Sequence, residues 1–205
     1  MSYPSSRSPF GKLLIWFSPK HTSHGLPVWT PLSNKDERAL TYERLNEALV
    51  LLKNHAPARY SRVLRSLKGF LVLGTDSVNA SYDPASGVCR LNEKFVADPA
   101  TTAAAIACTV VHEATHGWLT SLGIGYDPPI RHRVELVCIR ASLFAALRIP
   151  GAEAEIEICH RQMSIDPAFF SNEQFLERSK NHLRELGCPE WIVRALLWIR
   201  QKRAA

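Results

Sequence analysis

His112-Glu113-Ala114-Thr115-His116 is the stretch of this 205-residue chain whose residue types and spacing can do chemistry. Residues four apart on a helix stand about 40° apart around the axis and ~6 Å along it, so both imidazoles project from one face toward one point. Neutral imidazole is a good ligand for Zn²⁺. Glu113, next to the first histidine, can reach a water held by such an ion instead of the ion itself. The plain alternative is a helix with two capped or solvent-facing histidines. The preceding residues speak against it, because Ala103 to Val111 is apolar on nearly every side and reads as a core helix. Two histidines and a glutamate at the end of such a helix are costly unless paired or metal-bound.

A third ligand follows from helix lengths. Six residues separate His116 from the expected helix end near Leu122, and six separate Pro129 from Glu135 on the far side of a turn. Each leg is ~9 Å at 1.5 Å per residue, so an antiparallel second helix brings Glu135 level with His116. Glu135 stands between Val134 and Leu136, where a carboxylate needs a positive partner. Two histidines and one glutamate make a catalytic zinc set with the fourth position open. A salt bridge from Glu135 to Arg131 or Arg133 is the competing explanation, and His132 and His160 compete as third ligand.

The elements that must position these residues can be sketched from pattern. Ser33-Asn34 before Asp36-Glu37 predicts a helix start, and Leu40, Leu45, Ala48 and Leu52 give it an apolar stripe ended by Pro57. A short basic helix follows over 58–68, closed by Gly69. The period then changes. Phe70-Leu71-Val72-Leu73 and the runs 78–82 and 88–91, flanking Asp83-Pro84-Ala85-Ser86-Gly87, predict a small antiparallel sheet over 70–92. Asp98-Pro99 predicts the start of the motif helix, and Gly123 its end. Further helices are expected over 129–147 and 151–163, from Ser171 to Gly187, and from Pro189 onward. The class is α+β, a small antiparallel sheet followed by a mainly helical body. Residues 1–32 read as an irregular arm, docked through Trp16, Phe17 and Trp29, and 33–205 as one domain.

Composition sets the outer bounds. Apolar residues make up 46% and charged residues 21%, which excludes a disordered polyelectrolyte. The formal net charge of +6 permits an acidic partner without demanding one. The five cysteines, Cys89, Cys108, Cys138, Cys159 and Cys188, form no C-x-x-C pair and are expected as buried reduced thiols. Leu13 to Phe17 is too short to cross a membrane, and no signal-peptide cleavage pattern follows it, so a cytoplasmic protein is expected.

The arrangement resembles the gluzincin branch of the zincin metallopeptidases, in which H-E-x-x-H lies on one helix and a glutamate ligand comes from a following one. The likeness covers roughly residues 70–150, with the hairpin at 78–92 standing where those enzymes carry the edge strand that aligns an extended substrate. Cys138 and Ile139 depart from the residues usual after the glutamate there. The resemblance implies a zincin-like domain with Zn²⁺ held by His112, His116 and Glu135, acting on a peptide or protein. It implies that Glu113 takes a proton from the attacking water and passes it to the leaving amine. A donor for the oxyanion is then required. His132, one turn from Glu135, is the first candidate and Tyr126 the second.

Two readings from other classes compete. Glu113-x-x-His116 and Glu157-x-x-His160 could be the two pairs of a di-iron or di-manganese helix bundle, with Glu135 a further ligand. The residues of a sheet over 70–92 and the lack of a role for His112 weigh against it. A non-catalytic binding module would use the final helix, where Arg194, Arg200, Lys202 and Arg203 interleave with Trp191, Leu197 and Trp198. No nucleic-acid-binding signature accompanies that helix, so its Trp/Leu stripe is expected to pack on the core with its arginines in water. Glu153, Glu155 and Glu157 read as a solvated helical face.

Overall fold

Asn34 opens the first long helix. Its side chain accepts from the backbone N–H groups of Asp36 and Glu37, each at 3.0 Å, and the Glu37 carboxylate accepts from the Asn34 N–H at 3.0 Å, a reciprocal capping box. In the computed structural model, which describes residues 18–31, 34–74, 78–185, 187–195 and 198, this helix α1 spans Lys35–His55 and is followed by α2, Pro57–Ser66. The buried face of α1 is Thr41, Leu45, Ala48, Leu49 and Leu52. Leu40, expected in the stripe, is exposed, because it stands about 100° around the axis from Thr41.

Five strands make one sheet: β1 Lys20–Ser23, β2 Leu26–Trp29, β3 Gly69–Leu73, β4 Ala80–Asp83 and β5 Val88–Asn92, in the order β1-β2-β3-β5-β4. The expectation of an antiparallel sheet is corrected here. Strands β1 and β2 pair antiparallel, as do β4 and β5, but β2–β3 and β3–β5 are parallel. The reason lies in β3. Every residue of Gly69–Leu73 is buried, whereas β4 is half-buried throughout. A continuous apolar run belongs in the middle of a sheet covered on both faces, so β5 takes the place beside β3 and β4 becomes the edge. The turn before β5 is the expected one: Asp83 accepts from the Ala85 N–H and the Ser86 hydroxyl, and Gly87 has φ +72°.

The irregular arm is a second correction. Residues 20–29 form a hairpin whose two-residue turn, His24-Gly25, has φ of +50° and +84°, the signature that matches the twist of the flanking strands. The hairpin docks on the first two helices: the His21 ring stacks on Tyr42, and Tyr60 Oη lies 2.7 Å from His24 Nδ1. A Cβ at Gly69 would stand 2.6 Å from the Pro27 carbonyl oxygen and from Trp29 Cζ3, so glycine is what lets β2 lie against β3. Trp29 packs with Leu71, Leu73 and Val88 on one face of the sheet, while Phe70, Val72, Cys89 and Leu91 join the helices on the other. Trp16 and Phe17 lie outside the described residues.

Four helices complete the frame of the site: α3 Glu93–Ala97, α4 Ala103–Ser121, α5 Arg131–Ala146 and α6 Glu153–Met163. Asp98 caps the turn before α4, not α4 itself. The Ala100 N–H bonds to Asp98 Oδ1 at 2.8 Å, and Thr102 caps the helix through the Ala105 N–H at 3.0 Å. Gly123, at φ +77°, ends it as expected. After α6 come a single 3₁₀ turn, Pro167–Phe170, and α7, Asn172–Glu185. The Gln174 N–H bonds to Ser171 Oγ at 3.3 Å at the start of α7.

The chain divides into two compact units, the first up to Gly125 plus Arg133–Met163, the second Tyr126–His132 plus Ser164 onward. In the second, residues 190–195 are helical and Val193 is fully buried, but Trp191 and Trp198 are 72% and 57% exposed. Leu197, Arg200, Lys202 and Arg203 lie outside the described residues. No helix among the described residues is long and apolar enough to cross a membrane. The five cysteines are free, four of them buried and Cys188 half-buried.

Candidate metal centre

Helix α4 is buried over most of its length, from Ala104 through Leu119. Its burial follows from the Ala-, Ile- and Val-rich sequence, which packs against α1, α2 and the sheet. On this fixed rod His112 and His116 stand one turn apart with ring centroids 5.0 Å apart and Nε2 atoms 3.2 Å apart. Glu135, on α5, brings its Oε2 to 3.2 Å from His112 Nε2 and its Oε1 to 3.6 Å from His116 Nε2. A tetrahedral ion with ~2.0–2.1 Å bonds to nitrogen and oxygen requires donor atoms about 3.3–3.4 Å apart. The ring nitrogens, 3.2 Å apart, and the carboxylate oxygens that face them, Oε2 at 3.2 Å from His112 and Oε1 at 3.6 Å from His116, lie close to that spacing. The donor chemistry, two neutral imidazoles and a carboxylate, suits Zn²⁺. The three side chains keep between 15% and 21% of their surface in solvent, so water reaches the cluster.

Helices α4 and α5 are joined near this point by Ser142, whose hydroxyl donates to the Cys108 carbonyl at 3.0 Å. The competing partners of Glu135 are engaged or turned outward. The Arg131 guanidinium donates to the Phe170 carbonyl at 3.0 Å and lies 5.1 Å from the Tyr126 ring centre, and Arg133 is exposed.

Glu113 is only 7% exposed. Burial pushes its carboxyl up to about 7, with Glu135 adding to the rise, while His112 and a hydrogen bond from the Tyr82 backbone N–H pull it down. Burial works against protonation of His112, but the Glu135 hydrogen bond and the Glu113 and Glu135 charges outweigh it, leaving His112 raised. Burial, helped by the neighbouring His112, holds His116 down at about 4 despite Glu135.

His132 and Tyr126 belong to the second unit. There the His132 ring packs 5.4 Å from Phe170, and Tyr126 carries Arg131 on its face. Glu157 and His160 are exposed on α6, outside the cluster. Two neighbours of the cluster were not among the expected residues. Cys138, fully buried, has its Sγ within 4.8 Å of a ring nitrogen of both His112 and His116. Its position three residues after Glu135 is the signal that could have found it, since i and i+3 share a helix face. Tyr82 takes part through its main chain, for which no residue type is a signal.

Comparison of the chain with protein-family models, with curated proteins and with solved structures gives no match in any of the three.

Proposed function

We propose that this chain is a zinc-dependent hydrolase, a metallopeptidase of the H-E-x-x-H type that cleaves a peptide bond. The observation that carries the reading is the triangle of His112 Nε2, His116 Nε2 and the Glu135 carboxylate, at tetrahedral spacing beside a buried Glu113. Those three side chains would hold the ion. Zinc bound there supplies a Lewis acid that polarises a carbonyl and acidifies a water.

Proton movement falls to Glu113. Burial raises this carboxyl in the metal-free chain, and a buried carboxyl beside the ligand cluster is placed to take a proton from a water and return it. The Tyr82 N–H steadies its carboxylate from the β4 side. Strand β4 is one of the two edge strands, the other being β1, and an extended peptide can add to such an edge by main-chain hydrogen bonds. This supports a peptide over a compact small molecule as substrate. The dinuclear reading loses its second Glu-x-x-His pair, because Glu157 and His160 point to solvent.

Metal analysis of the purified chain tests the proposal. Wild type should carry one zinc, lose it to a chelator, and cleave an unfolded protein substrate only when loaded. His112→Ala should lose the zinc, whereas Glu113→Gln should keep it and fall at least a hundredfold in rate. A wild type without stoichiometric metal, indifferent to chelators, sinks the reading. Loss of zinc in Glu113→Gln would make Glu113 a ligand and return the dinuclear site.

A further inference from the structure

Cys138 stands beside the ligand triangle, and the proposed chemistry gives it no task. Its side chain is fully buried. Its Sγ and a ring nitrogen of each of His112 and His116 all lie within 4.8 Å of one another. Glu135 and Cys138 come from α5 and the two histidines from α4, so each helix offers two donors. On a helix, residues three apart lie on one face, and on that face of α5 Glu135 meets both histidines while Cys138 completes a cluster with the same two rings.

Cys108 and Cys159 are buried too. A buried cysteine is ordinarily a small apolar filler, and that describes them. Cys138 differs in facing two imidazoles that already converge on a carboxylate. Thiolate is a softer and stronger ligand for zinc than carboxylate, with a bond of ~2.3 Å. A tetrahedral ion bound to sulfur and nitrogen needs them about 3.5–3.6 Å apart. From separations of at most 4.8 Å, that is an approach of ~1 Å, within the reach of a side-chain adjustment.

We propose that Cys138 is a fourth protein ligand, so that the resting metal is held by His112, His116, Glu135 and Cys138. On ligation the S–H bond breaks, the metal–sulfur bond forms and the proton passes to solvent. The ion then carries a protein donor in the position that a hydrolytic water must take, and Cys138 has to yield it before cleavage. This rests on the metal reading above.

Cobalt(II) substitution of the full-length protein tests the ligand directly, since thiolate bound to cobalt gives an intense near-ultraviolet charge-transfer band that nitrogen and oxygen ligands do not. Wild type loaded with one cobalt should show the band. Cys138→Ser should bind one cobalt, keep the visible d–d bands and lose the charge-transfer band, while Cys89→Ser keeps it. X-ray absorption at the zinc edge of wild type, which needs no variant to fold, should show one sulfur at ~2.3 Å. A wild type that binds one metal with no charge-transfer band and no sulfur scatterer overturns the proposal and leaves the three-ligand site intact. A band that persists in Cys138→Ser also overturns it. A wild type that takes up neither zinc nor cobalt fails at the earlier step, the metal reading itself.

Discussion

Glu113 and Glu135 are two carboxylates close enough to raise each other's cost of ionisation, and Glu113 is the more deeply buried. A carboxyl whose folded-state value is raised contributes stability that is fully present below its unfolded value, here 4.5. That contribution is lost as the pH rises through about 7. In chelator-treated protein, Glu113→Gln should therefore match wild type near pH 4.5. It should be the more stable above pH 7, by on the order of 1–3 kcal/mol. Urea midpoints at pH 4.5, 6 and 8 measure the gap, and a constant offset would mean that Glu113 titrates as it does in water. At this scale the sequence is a good guide where spacing does the work. His112 and His116 share a face because the helix period puts them there. It is a poor guide to Tyr82, whose contribution is a backbone N–H.

At the scale of elements, the site depends on how closely α4 approaches its neighbours. A Cβ on Gly117 would lie 2.8 Å from the Ser66 carbonyl oxygen at the end of α2 and 3.1 Å from Tyr82 Cε2 on β4. Alanine normally favours a helix over glycine by about 1 kcal/mol. Here the collision with a backbone oxygen costs about 1–3 kcal/mol. Gly117→Ala should therefore be net destabilising by up to ~2 kcal/mol in a denaturant titration, and on the proposed function it should slow cleavage by displacing Tyr82 from Glu113. A stabilised variant would show that the approach is loose. The longer helices were legible from apolar period and caps, and so was the β4–β5 hairpin from its turn residues. Four things were not: the β1–β2 hairpin, whose strands are only four residues each, the parallel pairing of β3, the five-residue helix α3, and the cap of α4, where Asp98 and Thr102 compete as starts.

For the whole molecule, a ligand held by residues of two helices links metal binding to folding. Free zinc at a hundred times its dissociation constant stabilises the native state by ~2.7 kcal/mol. For a chain of 205 residues that is a rise in thermal midpoint of ~5–11 °C. The rise should vanish with chelator and in His112→Ala. A shift retained in that variant would place the metal elsewhere. The groups that would face the ion are His112, His116 and Glu135, joined by Cys138 on the further proposal. What could be read along the chain was local: a helical H-E-x-x-H in apolar surroundings, an α+β order of elements, and a glutamate at the right distance past a turn. Those follow from period, capping and helix rise, which are properties of neighbouring residues. The convergence of His112, His116 and Glu135, whose facing nitrogens and oxygens stand 3.2–3.6 Å apart, the arrival of Cys138 beside the two histidines, and the edge position of β4 depend on residues far apart in the chain. Their placement is set by which apolar faces bury each other, and no single segment carries that information.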